Sequence, residues 1–363
     1  MNWEWIQKFN QLIMLAQEKL SKKQFILLSS ILVGLSAGIA AITLKSFVHL
    51  IFTLATYKPI VSIRYLYLVL PALGIFLTVW AVKKILKGKL EKGLPPIHYA
   101  IAKKSSIVPR EQMYAQVLTS SLTVGLGGSA GLEAPIVITG AAFGSNYAKT
   151  YKLDYKDRTL LLACGVAAGI GAAFNAPIAG VLFALEVLLL DIGISAFTPL
   201  IIAAATGALI SKIFLQEDIL FTFPQSSEFN YLNVPFYVLL GVLTGLLAVY
   251  HQRMFLKSEN WLSGLKIGAY KKVFLAGGML ATLILFFPSL FGEGYASIKI
   301  LASSNSNQLF ENSILHDFTS NPWFILLFIT LTMLVKVFAT AITLGSGGNG
   351  GNLVFVADNN INT

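Results

Sequence analysis

Cysteine is almost missing from this chain. Cys164 stands alone among 363 residues, which excludes an internal disulfide and any cysteine-built metal centre. It lies in an apolar, glycine-rich stretch and reads as a small packing residue. Charge is scarce as well: 12% of residues are Asp, Glu, Lys or Arg against 55% hydrophobic, and the mean hydropathy is +0.71. A soluble domain of this size could not bury so much apolar surface. No G-x-x-x-x-G-K-[ST] phosphate loop is present, so ATP-driven work has no support. GGSAG at Gly127–Gly131 fits G-x-S-x-G only formally, since His251 and His316 fall at span or loop edges with no triad arrangement, and an enzyme is not expected. No cofactor and no metal are expected.

What is present is a series of apolar runs long enough, or nearly so, to cross a membrane: Phe25–Ala41, Tyr65–Val82, Leu160–Leu190, Phe197–Phe214, Phe236–Tyr250, Val273–Phe291 and Trp323–Leu344. The chain reads as an all-α polytopic membrane protein. Several runs are broken by Gly or Pro, which is tolerated at membrane depth where the freed backbone faces protein, water or an ion. The first residues, MNWEWIQKFNQLIMLAQEKLSKK, are amphipathic and carry no small-residue cleavage site. They read as a retained cytoplasmic or interfacial helix, with an ordinary first helix an equal account.

The net charge of +10 sits in short loops: Lys83, Lys84, Lys87 and Lys89; Lys149, Lys152, Lys156 and Arg158; Arg253, Lys257, Lys266, Lys271 and Lys272. That is the positive-inside pattern, and the loop bearing Glu217, Asp218 and Glu228 then lies outside. No basic stretch has a soluble domain to present it, so nucleic acid is not an expected partner; the lipid bilayer is.

The centre of the chain is GLGGSAGLEAP, Gly125–Pro135. Glycines let backbone approach a ligand closely, and Pro135 suits the first turn of a helix that begins at Glu133. The free N–H groups and positive dipole end of such a helix favour an anion, either a dissolved ion or the Glu133 carboxylate itself. A simple capping Glu is the bland alternative. The same stretch recurs without gaps: QVLTSSLTVGLGGSAGLEAP from Gln116 matches KVFATAITLGSGGNGGNLVF from Lys336, pairing Gly125, Gly127, Gly128 and Gly131 with Gly345, Gly347, Gly348 and Gly351. GLSAG at Gly34 has a looser counterpart in GVLTG at Gly241. Paired glycine-interrupted segments point to two inverted repeats with broken helices and a binding site between them, although small residues also serve plain helix packing. The expected organisation is an amphipathic helix over 1–23, a first repeat over 24–215, an acidic extracytoplasmic linker over 216–235 and a second repeat over 236–363. After Phe355, the equivalent of Pro135, only VADNNINT follows, so the second repeat is expected to be cut short, and a non-conducting membrane protein stays among the readings.

From about residue 25 onward the chain resembles the CLC family of chloride channels and chloride/proton exchangers. GLEAP at Gly131–Pro135 is similar to that family's G-K/R-E-G-P. RTLLLACGVAAGIGAAFNAPIAGVLFALEV, Arg158–Val187, is closely similar to its long alanine- and glycine-rich segment, and GSGGNGGN at Gly345–Asn352 to the approach to its G-x-F-x-P motif. The resemblance implies chloride transport gated by Glu133, with backbone amides of Gly131, Leu132, Glu133, Ala134, Asn352 and Leu353 around a partly dehydrated anion. It also implies a homodimer in a plasma (inner) membrane, with contacts partly from about Ile178–Leu190 and Ile194–Phe214. Leu353 and Phe355 depart from the Phe and Pro of the third motif. EKGLPP, Glu91–Pro96, corresponds to a serine-bearing central-site loop, so Lys92 and Gly93 stand there, with Lys92 either at the anion or snorkelling to the cytoplasm. Val187 occupies the position of the exchangers' proton glutamate, beside Glu186, which reads as a structural acid. Valine carries no proton, so passive conduction is the leading expectation and chloride/proton antiport the alternative. GEGY at Gly292–Tyr295 reads as a loop near the anion entrance or an ordinary glycine turn.

Overall fold

The structure is a computed structural model that describes residues 3–56, 66–188, 196–215, 230–302 and 322–352. Among the described residues the regular elements are helices: α1 (Trp3–Lys19), α2 (Lys22–Ala55), α3 (Leu70–Lys84), α4 (Pro95–Lys103), α5 (Gln112–Gly125), α6 (Glu133–Thr150), α7 (Tyr155–Phe174), α8 (Pro177–Leu188), α9 (Phe197–Leu215), α10 (Val234–Gly264), α11 (Ala269–Phe286), α12 (Tyr295–Ala302) and α13 (Pro322–Gly345). By length and composition α2, α7, α9, α10, α11 and α13 can each cross a membrane. The fold is that of an all-α polytopic membrane protein. The acidic stretch with Glu217, Asp218 and Glu228, and also His316, lie outside the described residues.

Two departures from the apolar runs have physical causes. The run Leu160–Leu190 is two helices, not one span. Asn175 takes the left-handed conformation (φ 52°) and ends α7, its N–H bonding the Gly171 carbonyl, and Pro177 then opens α8. Conversely, α5 and α6 match no apolar run because their faces are built from Gly, Ala, Ser and Thr. Both are buried, with Ser120, Thr123, Ala141 and Ala142 all inaccessible.

The described chain forms two compact units interleaved along the sequence, one of 1–46, 90–117 and 135–220, the other of 47–89, 118–134 and 221–363. In the first, every residue of α7 from Leu161 to Ala172 is buried, Cys164 among them, and α7 packs on α8 and α9. Lipid is as apolar as leucine, so close backbone approach and hydrogen bonds must hold such helices together. A Cβ at Gly34 would lie 2.8 Å from the Ala203 carbonyl oxygen, and one at Gly38 would lie 2.9 Å from Gly207 Cα. Ser145 Oγ donates to the Ser106 carbonyl (2.6 Å) and accepts from the Val108 N–H (2.9 Å), fixing the turn before α5. The amphipathic α1 is tied on by Gln17 Nε2, which donates to the Tyr151 carbonyl at 3.2 Å. Asp154 caps α7 by accepting from the Asp157 N–H at 2.8 Å. That backbone bond, followed by the bond from Lys22, holds its carboxyl below the usual range.

The second unit has a core of Ile75 and Val79 from α3, Leu262 from α10, Leu280 and Ile284 from α11, Leu290 from the 3₁₀ turn Pro288–Leu290, and Ile342 from α13. This unit contains both glycine loops.

Candidate functional site

α5 and α13 stop at equivalent residues, Gly125 and Gly345, and the chain then breaks in the same way twice. In the first copy the Gly127 N–H bonds the Val124 carbonyl (2.9 Å) and the Gly128 N–H bonds that of Thr123 (2.8 Å). In the second, Gly347 bonds Leu344 (3.2 Å) and Gly348 bonds Thr343 (3.0 Å). Gly127 (φ 93°) and Gly347 (φ 116°) both take backbone conformations that L side chains rarely adopt.

The two loops then meet at equivalent residues. The Gly131 N–H donates to the Gly351 carbonyl (2.9 Å), and the Gly351 N–H donates to that of Gly131 (2.7 Å). Flanking them, the Ser129 N–H donates to Thr343 Oγ1 (3.1 Å) while the Asn349 N–H donates to Thr123 Oγ1 (3.0 Å). Each of these bonds from one copy to the other has its mate, which is the signature of a local two-fold relation.

Side chains break that symmetry. Glu133, the first residue of α6, is buried at 4% exposure although it is an acid. The Tyr295 hydroxyl donates to its Oε1, and its Oε2 lies against Gly131 and Gly351. Lys336, a cation inside the apolar α13, donates from Nζ to Ser129 Oγ (2.9 Å) and to the Gly292 carbonyl (3.4 Å), within the fields of Glu133 and Glu293. Gly292 in turn donates its N–H to the Gly127 carbonyl at 3.1 Å, so the GEGY turn is fastened to the first glycine loop.

The expected site residues fall as follows. Leu132, Glu133 and Ala134 lie at the N-terminus of α6, where the first amides lack intrahelical acceptors. Gly131 does not contribute its amide as expected, because the pairing of the two loops spends it on Gly351. Asn352 Oδ1 accepts from His251 Nε2 at 3.0 Å, and its buried Nδ2 has no partner among the described residues. Leu353 and Phe355 lie outside the described residues.

Lys92 and Gly93 lie in the other unit, on a loop whose Glu91 carbonyl accepts from Gln116 Nε2 at 2.6 Å. Lys92 is exposed and Gly93 has φ 69°. Burial holds the Glu91 carboxyl above its usual range, against the opposing charge of Lys104. Val187 is buried in α8, its carbonyl bonded to His98 Nε2 at 2.6 Å, while Glu186 beside it is exposed. Among the described residues no group of three or more His, Cys, Asp or Glu is placed to hold a metal.

Sequence reading gives Tyr295, Ser129 and Lys336 no role at Glu133. GEGY reads as near the anion entrance and Ser129 falls within the first glycine loop, but nothing in either motif names their partners. Lys336 did carry a signal, since an ionisable residue inside an apolar span marks a functional position by default.

Helices broken at two-fold-related glycine loops, with a buried acid at one of them, define an integral membrane protein of the inverted-repeat, broken-helix class. The family described as voltage gated chloride channel matches residues 73–354, and the chain belongs to it. The chain is 28% identical over 235 residues to the voltage-gated ClC-type chloride channel ClcB of Escherichia coli, a match covering 64% of this chain and 52% of that protein. Among the solved structures that share the fold are two proton antiporters. One is a slow cyanobacterial Cl−/H+ antiporter (TM-score 0.73, 22% identity, 92% of this chain and 76% of that one). The other is a CLC-type fluoride/proton antiporter (TM-score 0.69, 20% identity, 90% and 77%). The chain spans between about half and two thirds of the length of the curated relatives it matches.

Proposed function

We propose that this chain moves chloride across a membrane, with Glu133 as the gate and with proton exchange preferred to passive conduction. The observation that carries the reading is the buried Glu133 carboxylate at the start of α6, lying against the paired glycines. An anion that displaced it would meet the amides of Leu132, Glu133 and Ala134 and the dipole of α6. Backbone donors suit the task because they bind a halide without a fixed charge that would trap it. Asn352 Nδ2, buried without a partner among the described residues, is a further donor that an anion would satisfy.

Exchange is preferred because two of the fold neighbours are described as proton antiporters, and because Val187 has a histidine beside it. A carbonyl only accepts, so His98 Nε2 carries the proton it shares with Val187, and Nδ1 is the ring's remaining nitrogen. His98 follows the basic loop of Lys83–Lys89 and so lies on the side that the positive-inside pattern marks as cytoplasmic. The ClcB relative is described as a channel, and passive conduction is the second reading. The two sequence repeats, the homodimer and a plasma-membrane location belong to the same proposal. Ile178, Leu182, Ile201 and Leu209, all in the stretches expected at a dimer interface, are more than half exposed.

The test is paired chloride and proton flux from liposomes under an outward chloride gradient at fixed voltage. Chloride leaving the liposomes should drive protons uphill. His98→Gln, which keeps a donor for the Val187 carbonyl, should leave chloride flux in place and lower the proton share. Chloride flux without protons would establish a channel, and no flux of either ion would sink transport by this chain.

A further inference from the structure

We infer that Tyr295 is a proton-sensitive latch on the gate, holding Glu133 closed while it is ionised and releasing it once it is protonated. The inference rests on Glu133 being the gate and says how that gate is regulated. An ionised carboxylate only accepts hydrogen bonds, and Glu133 Oε1 accepts one from the Tyr295 hydroxyl inside a buried site. Hydrogen bonds to an ionised acceptor are roughly twice as strong as those between neutral groups, and low surrounding dielectric strengthens them. Protonation of Glu133 therefore weakens its own restraint without any other part having to move.

The latch is built in place rather than swung in. Tyr295 begins α12 directly after Gly292–Gly294, whose two glycines have φ of 74° and 94°. This turn is fixed by the bond of Gly292 N–H to Gly127 and by Lys336 Nζ on the Gly292 carbonyl. The ionisable groups around Glu133 are thus Tyr295, Lys336 and Glu293. The hydroxyl of Tyr295 is the one that touches Oε1.

The test is Tyr295→Phe, which keeps the ring and deletes the hydroxyl, read beside Glu133→Gln and the double variant. Chloride flux from Tyr295→Phe at neutral pH should rise about tenfold, the weight of one charge-assisted hydrogen bond, and approach the wild-type rate in acid. The double variant should behave as Glu133→Gln alone. An unchanged rate and pH profile in Tyr295→Phe, or an effect that persists beside Glu133→Gln, would overturn the latch while leaving the gate standing. Unchanged flux and pH response in Glu133→Gln would overturn the gate, and the latch with it. The wild-type protein provides an independent readout: with labelled tyrosine, the acid-minus-neutral infrared spectrum should show a perturbed phenol C–O band, and a spectrum without one counts against the latch.

Discussion

The two glycine loops are near-copies in backbone and opposites in charge. Both leave a helix at an equivalent glycine, both turn through a glycine of positive φ, and they bond each other through Gly131 and Gly351. Yet the first copy supplies the acid Glu133 where the second has Leu353, and the second supplies the cation Lys336 where the first has Gln116. Duplicated backbone provides a rigid frame of broken helices, and single divergent side chains then make one loop the place where an anion competes with an acid. Gln116 shows the other outcome at the same register: it is uncharged and holds the Glu91 carbonyl.

The largest effect on this contrast should come from Lys336→Gln, which writes the first copy's residue into the second. It removes the half-buried cation whose Nζ bonds Ser129 and Gly292 beside Glu133. Chloride affinity measured by calorimetry should fall about a hundredfold to a thousandfold, since one charge acting over about 4–6 Å at an effective dielectric near 20 is worth about 3–4 kcal/mol. Unchanged affinity would mean that the charge difference between the copies is not functional.

The frame was legible in sequence because its requirements are local. A glycine at a positive-φ turn, a proline in the first turn of α6 and an ungapped repeat are all properties of neighbouring residues, and they located Glu133 and both loops. What was not legible is what comes from afar. Tyr295 reaches Glu133 from a turn whose sequence reads equally well as an ordinary bend, and no spacing rule relates the two. Hydropathy missed α5 and α6 for a related reason: Gln, Ser, Thr and Asn interrupt them, and an apolar scale does not distinguish such a helix from a loop. It also overran Asn175, a single polar residue whose left-handed conformation separates α7 from α8.

Next in size are the paired turn substitutions Gly127→Ala and Gly347→Ala. Each forces an L residue into positive φ, and each new Cβ meets a neighbour: the Phe291 ring at Gly127, and Val79 Cγ2 at 2.6 Å at Gly347. Strain and overpacking together should cost about 2–5 kcal/mol in either variant, read as lower resistance to denaturation in detergent. Similar losses would support a frame that depends equally on both copies. A loss confined to Gly127→Ala would place the burden on the acid-bearing loop alone.

The smallest effect should come from the crossed threonines, and it is the most exacting measure of how symmetric the frame is. Thr343 Oγ1 accepts the Ser129 N–H and Thr123 Oγ1 accepts the Asn349 N–H, so replacing either threonine by valine strands one buried amide. A stranded buried donor costs about 1–3 kcal/mol. Each hydroxyl also makes a second bond: Thr123 Oγ1 shares one with Thr78 Oγ1 (2.8 Å), and Thr343 Oγ1 donates to the Ala339 carbonyl (2.8 Å). Thr123→Val and Thr343→Val should therefore destabilise about equally. In a Thr78→Val background Thr123→Val should cost less than Thr343→Val by about 0.5–1.5 kcal/mol, the net weight of one hydrogen bond, because one of its two partners is already gone. Unequal losses where Thr78 is intact would mean that the loops differ in their backbone support as well as in their charges.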